Sequence, residues 1–236
     1  MDNRPIGVFD SGLGGLTVVK ALKKLLPNES ILYFGDTARL PYGVKSQGLV
    51  KQFSKQITRF LLKKNAKALI IACNTATAMA LNSLKNEFRD VPIIGVIEPG
   101  CEKAIRETTT KKIGVIGTVA TVTSGAYKKT IQQKDNEVEI ISKACPLFVP
   151  FVEEGLIYGS AINEIAKYYL SSFNHKVDTL ILGCTHYPLL KEIIFDNTKN
   201  INLIDSASSV AEVAFKVLFD NKLLNIEKDS GVINCY

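Results

Sequence analysis

The sequence predicts an α/β protein with mostly parallel sheets and two halves related by duplication. Short apolar segments alternate with amphipathic ones along the whole chain, which is typical of parallel sheets covered by helices on both faces. Two apolar segments, 7–9 and 31–34, have similar counterparts 107 residues later. Cys73 and Cys184 each close a run of apolar residues and lie 111 residues apart. A duplication with pseudo-twofold symmetry would bring these two cysteines face to face.

The alternation defines eight strands and eight helices in turn. Strands are predicted at 6–9, 31–34, 67–72, 93–97, 113–117, 138–141, 178–182 and 201–204. Helices are predicted at 15–26, 46–64, 76–88, 99–107, 121–132, 160–173, 188–195 and 207–221. In the helix at 46–64, for example, the apolar residues recur at helical spacing.

Two domains are expected, with the chain crossing between them twice. The first domain would comprise residues 1–97 and 207–236 and would carry Cys73. The second domain would comprise residues 98–206 and would carry Cys184. The last run of the chain, 231–236, would rejoin the first half.

The composition indicates an ordinary globular protein of 236 residues, 46% hydrophobic and 22% charged. No apolar run approaches the roughly 20 residues that are needed to span a bilayer. The N-terminus enters the first strand without the apolar region of a signal peptide. We therefore expect a cytoplasmic protein that needs no membrane.

The net charge of +6 does not by itself indicate a nucleic-acid partner. Lys outnumbers Arg 24 to 5, and spread-out lysines fit a solvated surface better than bidentate phosphate recognition. Five cysteines without a C-x-x-C pair, together with only two histidines, argue against a disulfide framework and a metal centre. We expect neither a nucleic acid nor a metal, although the basic field could attract a small anion.

Ligands in folds of this kind bind beyond the carboxyl ends of the strands. After the first strand, the glycines of Asp10–Gly15 could turn backbone N–H groups toward an anion, or Asp10 could simply cap the next helix. The segment lacks the Lys-Ser/Thr pair of a P-loop, so a nucleotide site is not expected. After the second strand, Gly35–Gly43 either lines a pocket or forms an ordinary surface turn.

The two cysteines are the strongest candidates for chemistry. Cys73 begins a predicted helix, whose dipole favours the thiolate and should hold the thiol pKa below about 8.5. One such cysteine would more often be inert and buried, but two at equivalent places favour an acid and a base on opposite faces of a small molecule. His186 lies close enough to Cys184 to deprotonate or orient it. The hydroxyls of Thr118 and Thr121 could hold a carboxylate.

Five motifs in register resemble the aspartate/glutamate racemase family, and within it the glutamate racemase branch. They are Asp-Ser-Gly-x-Gly-Gly at 10–15, Gly-Asp-Thr…Pro-Tyr-Gly at 35–43, Cys-Asn-Thr-Ala at 73–76, Glu-Pro-Gly at 98–100 and Gly-Cys-Thr-His-Tyr-Pro at 183–188. The aspartate racemase branch is similar around the two cysteines but lacks the first of these motifs. The resemblance extends to about residue 206, and the sequence stops at Tyr236, where relatives usually continue.

The resemblance implies a cofactor-independent racemase with two Rossmann-like domains that face each other across the cleft of the active site, commonly as a homodimer. Its substrate would be L-glutamate or D-glutamate, and the D-form would feed peptidoglycan synthesis. Cys73 would take the α-proton from D-glutamate with Asp10 beside it, and Cys184 from L-glutamate with Glu153 and His186 beside it. The residues implied to hold the substrate are Asp10, Ser11, Pro41, Tyr42, Gly43, Asn74, Thr75, Thr118, Thr121, Thr185 and His186.

Three other functions stay open at this point. An aspartate racemase would keep the mechanism and change the substrate. A thiol hydrolase would use one cysteine with His186 for acyl transfer, and it gives no reason for the second cysteine. A non-catalytic amino-acid-binding module would keep the pocket and need neither thiol.

Overall fold

The computed structural model of the chain describes residues 2–227 and 230–236. The chain divides into two compact units, one formed by residues 1–96 with 207–236 and the other by residues 97–206. The sequence placed Ile97 in the first unit, whereas the structure places it in the second, because it begins a helix that packs on strands of that unit. No helix within the described residues is long and apolar enough to cross a membrane.

The first unit contains one five-stranded sheet, in which every pair of neighbouring strands is parallel. In the order β4-β3-β1-β2-β9, its strands are Ile93–Gly95, Ala68–Ile71, Ile6–Asp10, Ile31–Gly35 and Ile233–Cys235. Both central strands, β1 and β3, are buried along their whole length, which explains why their sequences are apolar apart from Asp10 at the end of β1. The edge strand β9 comes from the final run of the chain, which was expected to rejoin this half.

Helices cover both faces of the first sheet. They are α1 (Leu16–Leu25), α2 (Gln47–Lys63), α3 (Asn74–Glu87) and α10 (Ser206–Asp220), with short 3-10 turns at Thr37–Arg39 and Tyr42–Val44. One core cluster joins α1 to α10, for example through Val18 and Val210. A second cluster joins α2 to α3, for example through Ile57 and Ala80. The sheet is therefore a buried middle layer, as the sequence predicted.

The second unit contains a four-stranded parallel sheet of order β6-β5-β7-β8. Its strands are β5 (Lys112–Gly117), β6 (Glu139–Ala144), β7 (Thr179–Gly183) and β8 (Asn202–Asp205). Its helices are α4 (Ile97–Glu107), α5 (Val119–Thr123), α6 (Ala126–Lys134), α7 (Phe148–Glu153), α8 (Ser160–Leu170) and α9 (Lys191–Thr198), with 3-10 turns at Ser171–Phe173 and Tyr187–Leu190. One core cluster joins α7, α8 and α9 to the sheet.

The two sheets share a strand order. The first four strands of the chain lie in the order β4-β3-β1-β2, and the next four repeat it as β8-β7-β5-β6. This equivalence pairs β1 with β5 and β3 with β7, which are the pairs of similar segments seen in the sequence. The predicted α/β fold with two parallel-sheet domains is therefore confirmed.

The helix predictions were wrong in two places. The single helix expected at 121–132 is two helices, α5 and α6, because Gly125 between them has a φ of +65° that ends the helical path. No helix was predicted between residues 132 and 160, but Phe148–Glu153 forms α7. At six residues, this helix is too short to show a helical period in the sequence.

Candidate active site

In the first unit, Cys73 lies just beyond the carboxyl end of β3 and caps the N-terminus of α3. Its Sγ accepts a hydrogen bond from the backbone N–H of Ala76 at 3.5 Å. Phe9 of β1 lies opposite Ile71 of β3, and the same register two residues further on brings Ser11 beside Cys73. The Cys73 Sγ and Ser11 Oγ atoms are 3.7 Å apart. Adjacent parallel strands therefore place a hydroxyl beside the thiol.

Asp10, at the end of β1, is fully buried and organises the loop that follows it. Its Oδ2 accepts hydrogen bonds from the backbone N–H groups of Gly12 and Gly15, each at 3.1 Å. The Tyr33 hydroxyl donates to the Gly12 carbonyl at 2.6 Å and holds the same loop from the neighbouring strand. The sequence left open whether these glycine N–H groups turn toward an anionic ligand or Asp10 caps the next helix, and the structure shows that the Asp10 carboxylate takes the N–H groups of Gly12 and Gly15.

The pKa of the Cys73 thiol is raised to about 12, chiefly by burial and next by the negative charge of Asp10. The hydrogen bonds from Ala76 and Ser11 act in the opposite direction but are the smaller effect. The expected lowering of this pKa by the helix dipole was therefore wrong for this structure, since loss of hydration outweighs the helix terminus. At neutral pH Cys73 is a thiol, the form that donates a proton.

The loop after β2 is fixed around a buried carboxylate, Asp36. The Tyr42 hydroxyl donates a short hydrogen bond to Asp36 Oδ2, and Arg39 Nε donates to Oδ1 at 2.8 Å. The Arg39 guanidinium also lies over the Phe53 ring, 4.3 Å from its centroid. Burial, and then Asp36, raise the pKa of the Tyr42 phenol far above its usual value. The Tyr42 hydroxyl is therefore already engaged by Asp36 within the loop.

The remaining residues predicted for this half have mixed positions. Asn74 and Thr75 are buried in the first turn of α3, directly after Cys73. Gly43 is buried beside Tyr42, which shares a core cluster with Cys73. Pro41 is exposed and follows a cis peptide bond. Except for Pro41, the predicted residues of this half are therefore buried or, in the case of Ser11, partly buried.

In the second unit, Cys184 directly follows β7 and lies next to a histidine–carboxylate pair. His186 Nδ1 is 3.8 Å from Cys184 Sγ and 3.5 Å from Thr185 Oγ1. On the other side of the ring, His186 Nε2 is 3.1 Å from Oε1 of Glu153, the last residue of α7. An ionised carboxylate only accepts, so the contact with Glu153 assigns a hydrogen to Nε2, and in that tautomer Nδ1 faces the thiol with its lone pair. This imidazole can therefore take a proton from Cys184.

Thr118 and Thr121 form a hydroxyl pair at the end of the neighbouring strand. Thr118 follows β5 and caps α5, accepting from the Thr121 backbone N–H at 3.2 Å, and the two Oγ1 atoms are 3.0 Å apart. Gly117 of β5 lies opposite Gly183 of β7, so Thr118 and Cys184 each follow directly on a paired position. Thr118 thus stands in the second unit where Ser11 stands in the first.

The structure groups the predicted residues into one cluster per unit, each around a buried thiol. Both thiols follow equivalent central strands, β3 and β7. Sequence reasoning missed Tyr33, Asp36 and Tyr187, which hold the loops of these clusters. Asp36 and Tyr187 stand inside the recognised motifs, so the motifs could have pointed to them, whereas nothing in the local pattern marks Tyr33. Among the described residues no group of three or more His, Cys, Asp or Glu is placed to hold a metal ion.

The fold and these clusters define a class of protein, namely two-domain α/β proteins with a strand-end thiol and acid–base partners in each domain. The sequence matches the family model described as Asp/Glu/Hydantoin racemase over residues 6–214. The chain belongs to this family.

Individual relatives agree with this membership. The chain is 51% identical to a glutamate racemase of Aquifex aeolicus over 207 residues, which is 88% of this chain and 80% of the relative. A glutamate racemase structure from Francisella tularensis in complex with D-glutamate matches 100% of this chain and 88% of that one, with a TM-score of 0.94 and 44% identity. An aspartate racemase of Picrophilus torridus, with a TM-score of 0.66 and 17% identity over 94% of this chain and 99% of that one, shares the fold alone.

Proposed function

We propose that this protein interconverts L-glutamate and D-glutamate without a cofactor and so supplies D-glutamate for peptidoglycan synthesis. The observation that carries the proposal is the equivalent position of Cys73 and Cys184, each at the carboxyl end of the same strand in a repeated sheet. Inversion at a Cα–H centre needs a base on one face and an acid on the other, and a repeated thiol supplies both.

In the proposed reaction, the Cys73 thiolate removes the α-proton of D-glutamate and becomes a thiol. The electron pair of the broken C–H bond stays on the α-carbon, and the Cys184 thiol donates its proton to the opposite face. L-glutamate leaves and Cys184 is left as the thiolate, which is the base for the reverse direction. Each turn thus requires one thiolate and one thiol, so the two titrations are coupled.

The neighbouring residues adjust these thiols. His186, with Glu153 behind it, takes the proton of Cys184 and makes it a base for L-glutamate. Burial, and next the charge of Asp10, raise the pKa of Cys73 and favour its thiol form, ready to act as the acid for that direction. In the opposite direction, the ammonium group of a bound amino acid supplies the positive charge that favours the Cys73 thiolate.

With no cofactor to delocalise the carbanion, hydrogen-bond donors around the α-carboxylate must stabilise it. We assign this role, and the binding of the other charged groups of glutamate, to the residues named in the sequence analysis. In the first unit these are Ser11, Asn74 and Thr75 with the backbone of Pro41–Gly43, and in the second Thr118, Thr121 and Thr185. We also propose that two copies associate as a homodimer, which light scattering on the purified protein would test as twice the chain mass.

Circular dichroism separates this function from its alternatives. Purified protein is mixed with L-glutamate, D-glutamate or L-aspartate, with no cofactor added. Decay of the glutamate signal to zero from both sides, with aspartate unchanged, is the expected result. Decay with aspartate alone would identify an aspartate racemase, and no decay with any of the three would favour the binding module.

Removal of each thiol tests the two-thiol mechanism. Cys73→Ala and Cys184→Ala should each lower racemisation in both directions by at least about 10²-fold, the contribution of a positioned acid or base. Cys101→Ala, which removes a buried thiol at neither strand end, is the control and should remain active. Turnover close to the wild-type rate in both directions by either active-site variant would contradict the mechanism, and a trapped acyl-enzyme would favour the hydrolase.

A further inference from the structure

The two segments that carry the His186–Glu153 pair meet at a single backbone carbonyl, that of Cys145. This carbonyl accepts the Tyr187 hydroxyl at 2.9 Å and the backbone N–H of Phe148 at 3.2 Å. Tyr187 directly follows His186 in the chain, and Phe148 is the first residue of α7, whose last residue is Glu153. One acceptor therefore ties together the histidine segment and the carboxylate helix.

Aromatic packing reinforces the same connection. The Phe148 ring contacts the Tyr187 ring edge-on, with centroids 5.3 Å apart and planes at 89°. On its other side, Phe148 contacts Tyr169 in the same way, at 5.3 Å and 90°. Phe148 and Tyr187 are fully buried. Rings in edge-to-face contact inside a close-packed core have little freedom to move.

The short length of α7 makes this packing decisive for Glu153. A helix of six residues is far below the length at which a helix is stable by itself, so its position depends on the contacts of its buried face. Phe148 is the fully buried residue of that face, while Glu153, at the other end, is partly exposed. Val149, Phe151 and Val152 pack on the same cluster but are only partly buried, so Phe148 is the fully buried anchor of the helix that carries Glu153.

We propose that Tyr187 is a positioning residue, which holds Glu153 in register with His186 Nε2 through the Cys145 carbonyl and the Phe148 ring. By doing so it keeps the hydrogen on Nε2 and leaves Nδ1 to face the Cys184 thiol. Burial, and next the Cys184 and Cys145 thiols, raise the pKa of the Tyr187 phenol well above its usual value, so its hydroxyl stays a donor across the range in which enzymes are assayed. The effect on turnover rests on the proposed function, whereas the effect on the imidazole does not.

The chain offers a direct reading of the imidazole, because it contains only two histidines. In protein labelled with ¹⁵N-histidine, the nitrogen shifts report which ring nitrogen carries the hydrogen. In Tyr187→Phe, which removes one hydroxyl and keeps the ring, the Nε2–H population of His186 should fall and the signals of exposed His175 should stay unchanged. The matched control is Tyr168→Phe, at an exposed tyrosine of the same unit, and it should alter neither histidine.

The rate of racemisation should fall together with the Nε2–H population of His186. Loss of one positioning hydrogen bond should lower kcat about tenfold in Tyr187→Phe, with KM changed less than about twofold. In a Glu153→Gln background the same substitution should have almost no further effect, because residues that act through one another are not additive. If Tyr187 were only a core residue, its effect would multiply with that of Glu153→Gln and the His186 signals would not move.

A second variant keeps the test decisive if Tyr187→Phe does not fold. Phe148→Leu removes the edge-on ring but no polar group, and should shift the His186 tautomer in the same direction. Unchanged His186 signals in folded Tyr187→Phe or Phe148→Leu would overturn the proposal. A shifted tautomer in a protein that racemises neither amino acid would support the positioning role and reject the proposed function, so the two failures are distinguishable.

Discussion

Gly15 lies so close to the Asp10 side chain that residue 15 has no room for a side chain of its own. The Gly15 backbone N–H donates to Asp10 Oδ2 at 3.1 Å, and a Cβ added to Gly15 would lie 2.5 Å from the Asp10 Cβ. The same Cβ would lie 2.9 Å from the Tyr33 hydroxyl. The backbone of Gly15 is ordinary and right-handed, so glycine is required here for space rather than for conformation.

Gly15→Ala should therefore displace Asp10 and impair racemisation without unfolding the protein. A shift of about 1 Å in a group beside the reacting atoms can lower turnover about 10²-fold, and we expect a loss of that order. The measurement is kcat/KM in both directions by circular dichroism. Gly48→Ala, in α2 with nothing within 4 Å of the added Cβ, is the control and should remain fully active. Full activity of Gly15→Ala would show that the position of Asp10 does not matter.

The loop around Asp10 shows which features of the site could be predicted from the sequence and which could not. Asp10 and Cys73 could be found because each follows an apolar strand, and parallel strands bring their carboxyl ends to one edge. The sequence could not give the partners of the Asp10 carboxylate, since loop N–H groups turn toward the strongest nearby acceptor and this depends on the folded path. It also could not give the sign of the Cys73 pKa shift, because burial by distant segments outweighs the local helix terminus.

Asp10→Asn should make Cys73 more reactive toward alkylation, although racemisation falls. Asp10 is the second cause of the raised Cys73 pKa, after burial, so removing its charge lowers that pKa and increases the thiolate fraction. The rate of iodoacetamide labelling at pH 8 should rise about tenfold, the order expected for one close neighbouring charge. Mass spectrometry of the digested protein identifies the Cys73 peptide.

The exposed Cys235 provides the internal control for this labelling, since Asp10→Asn should leave its rate unchanged. Equal acceleration at both cysteines would mean general loosening of the fold rather than a local charge effect. Slower labelling of Cys73 in the variant would contradict the assigned role of Asp10.

Tyr42→Phe should weaken substrate binding and lower stability together. It leaves the buried Asp36 Oδ2 without its short hydrogen bond, which costs about 1–3 kcal/mol for a buried acceptor. The loop that presents Pro41–Gly43 should loosen, so KM should rise more than kcat falls. Urea unfolding and steady-state kinetics measure the two effects. Tyr158→Phe, at an exposed tyrosine, should change neither, and an unaltered KM in Tyr42→Phe would separate this loop from the substrate.

The sequence predicted the residues around Cys184 better than it predicted the contacts that hold those residues in place. Cys184, Thr185 and His186 are adjacent in one motif, so a strand end was enough to group them. That Glu153 reaches His186 follows from the position of α7, which no period in the sequence revealed. The family resemblance, rather than the residue pattern, is what put Glu153 in the prediction.

Asp178 directly precedes β7 and ties it to the segment at 108–110. The protonation of this carboxylate should change the free energy of unfolding at acid pH. Its carboxylate accepts the hydroxyls of Thr108 and Thr109 and the backbone N–H groups of Thr109 and Thr110, at 2.6–2.9 Å. Burial alone would raise the Asp178 pKa, but these hydrogen bonds outweigh it and hold the pKa well below its usual range. The group thus binds its proton less readily in the folded state than in the unfolded state.

A lowered folded-state pKa gives stability that is present above the unfolded pKa of about 3.9 and is lost as pH falls below it. Asp178→Asn should therefore lower the free energy of unfolding by about 1 kcal/mol at pH 7. From pH 4 down to pH 2 the gap between variant and wild type should narrow steadily, because the unfolded wild type takes up a proton on Asp178 that the folded protein binds less readily. Urea unfolding at these pH values gives the comparison. Asp196→Asn removes an exposed carboxylate and should change stability by less than about 0.5 kcal/mol at every pH. A constant gap between Asp178→Asn and wild type down to pH 2 would mean that the threonine contacts do not depend on the charge of Asp178.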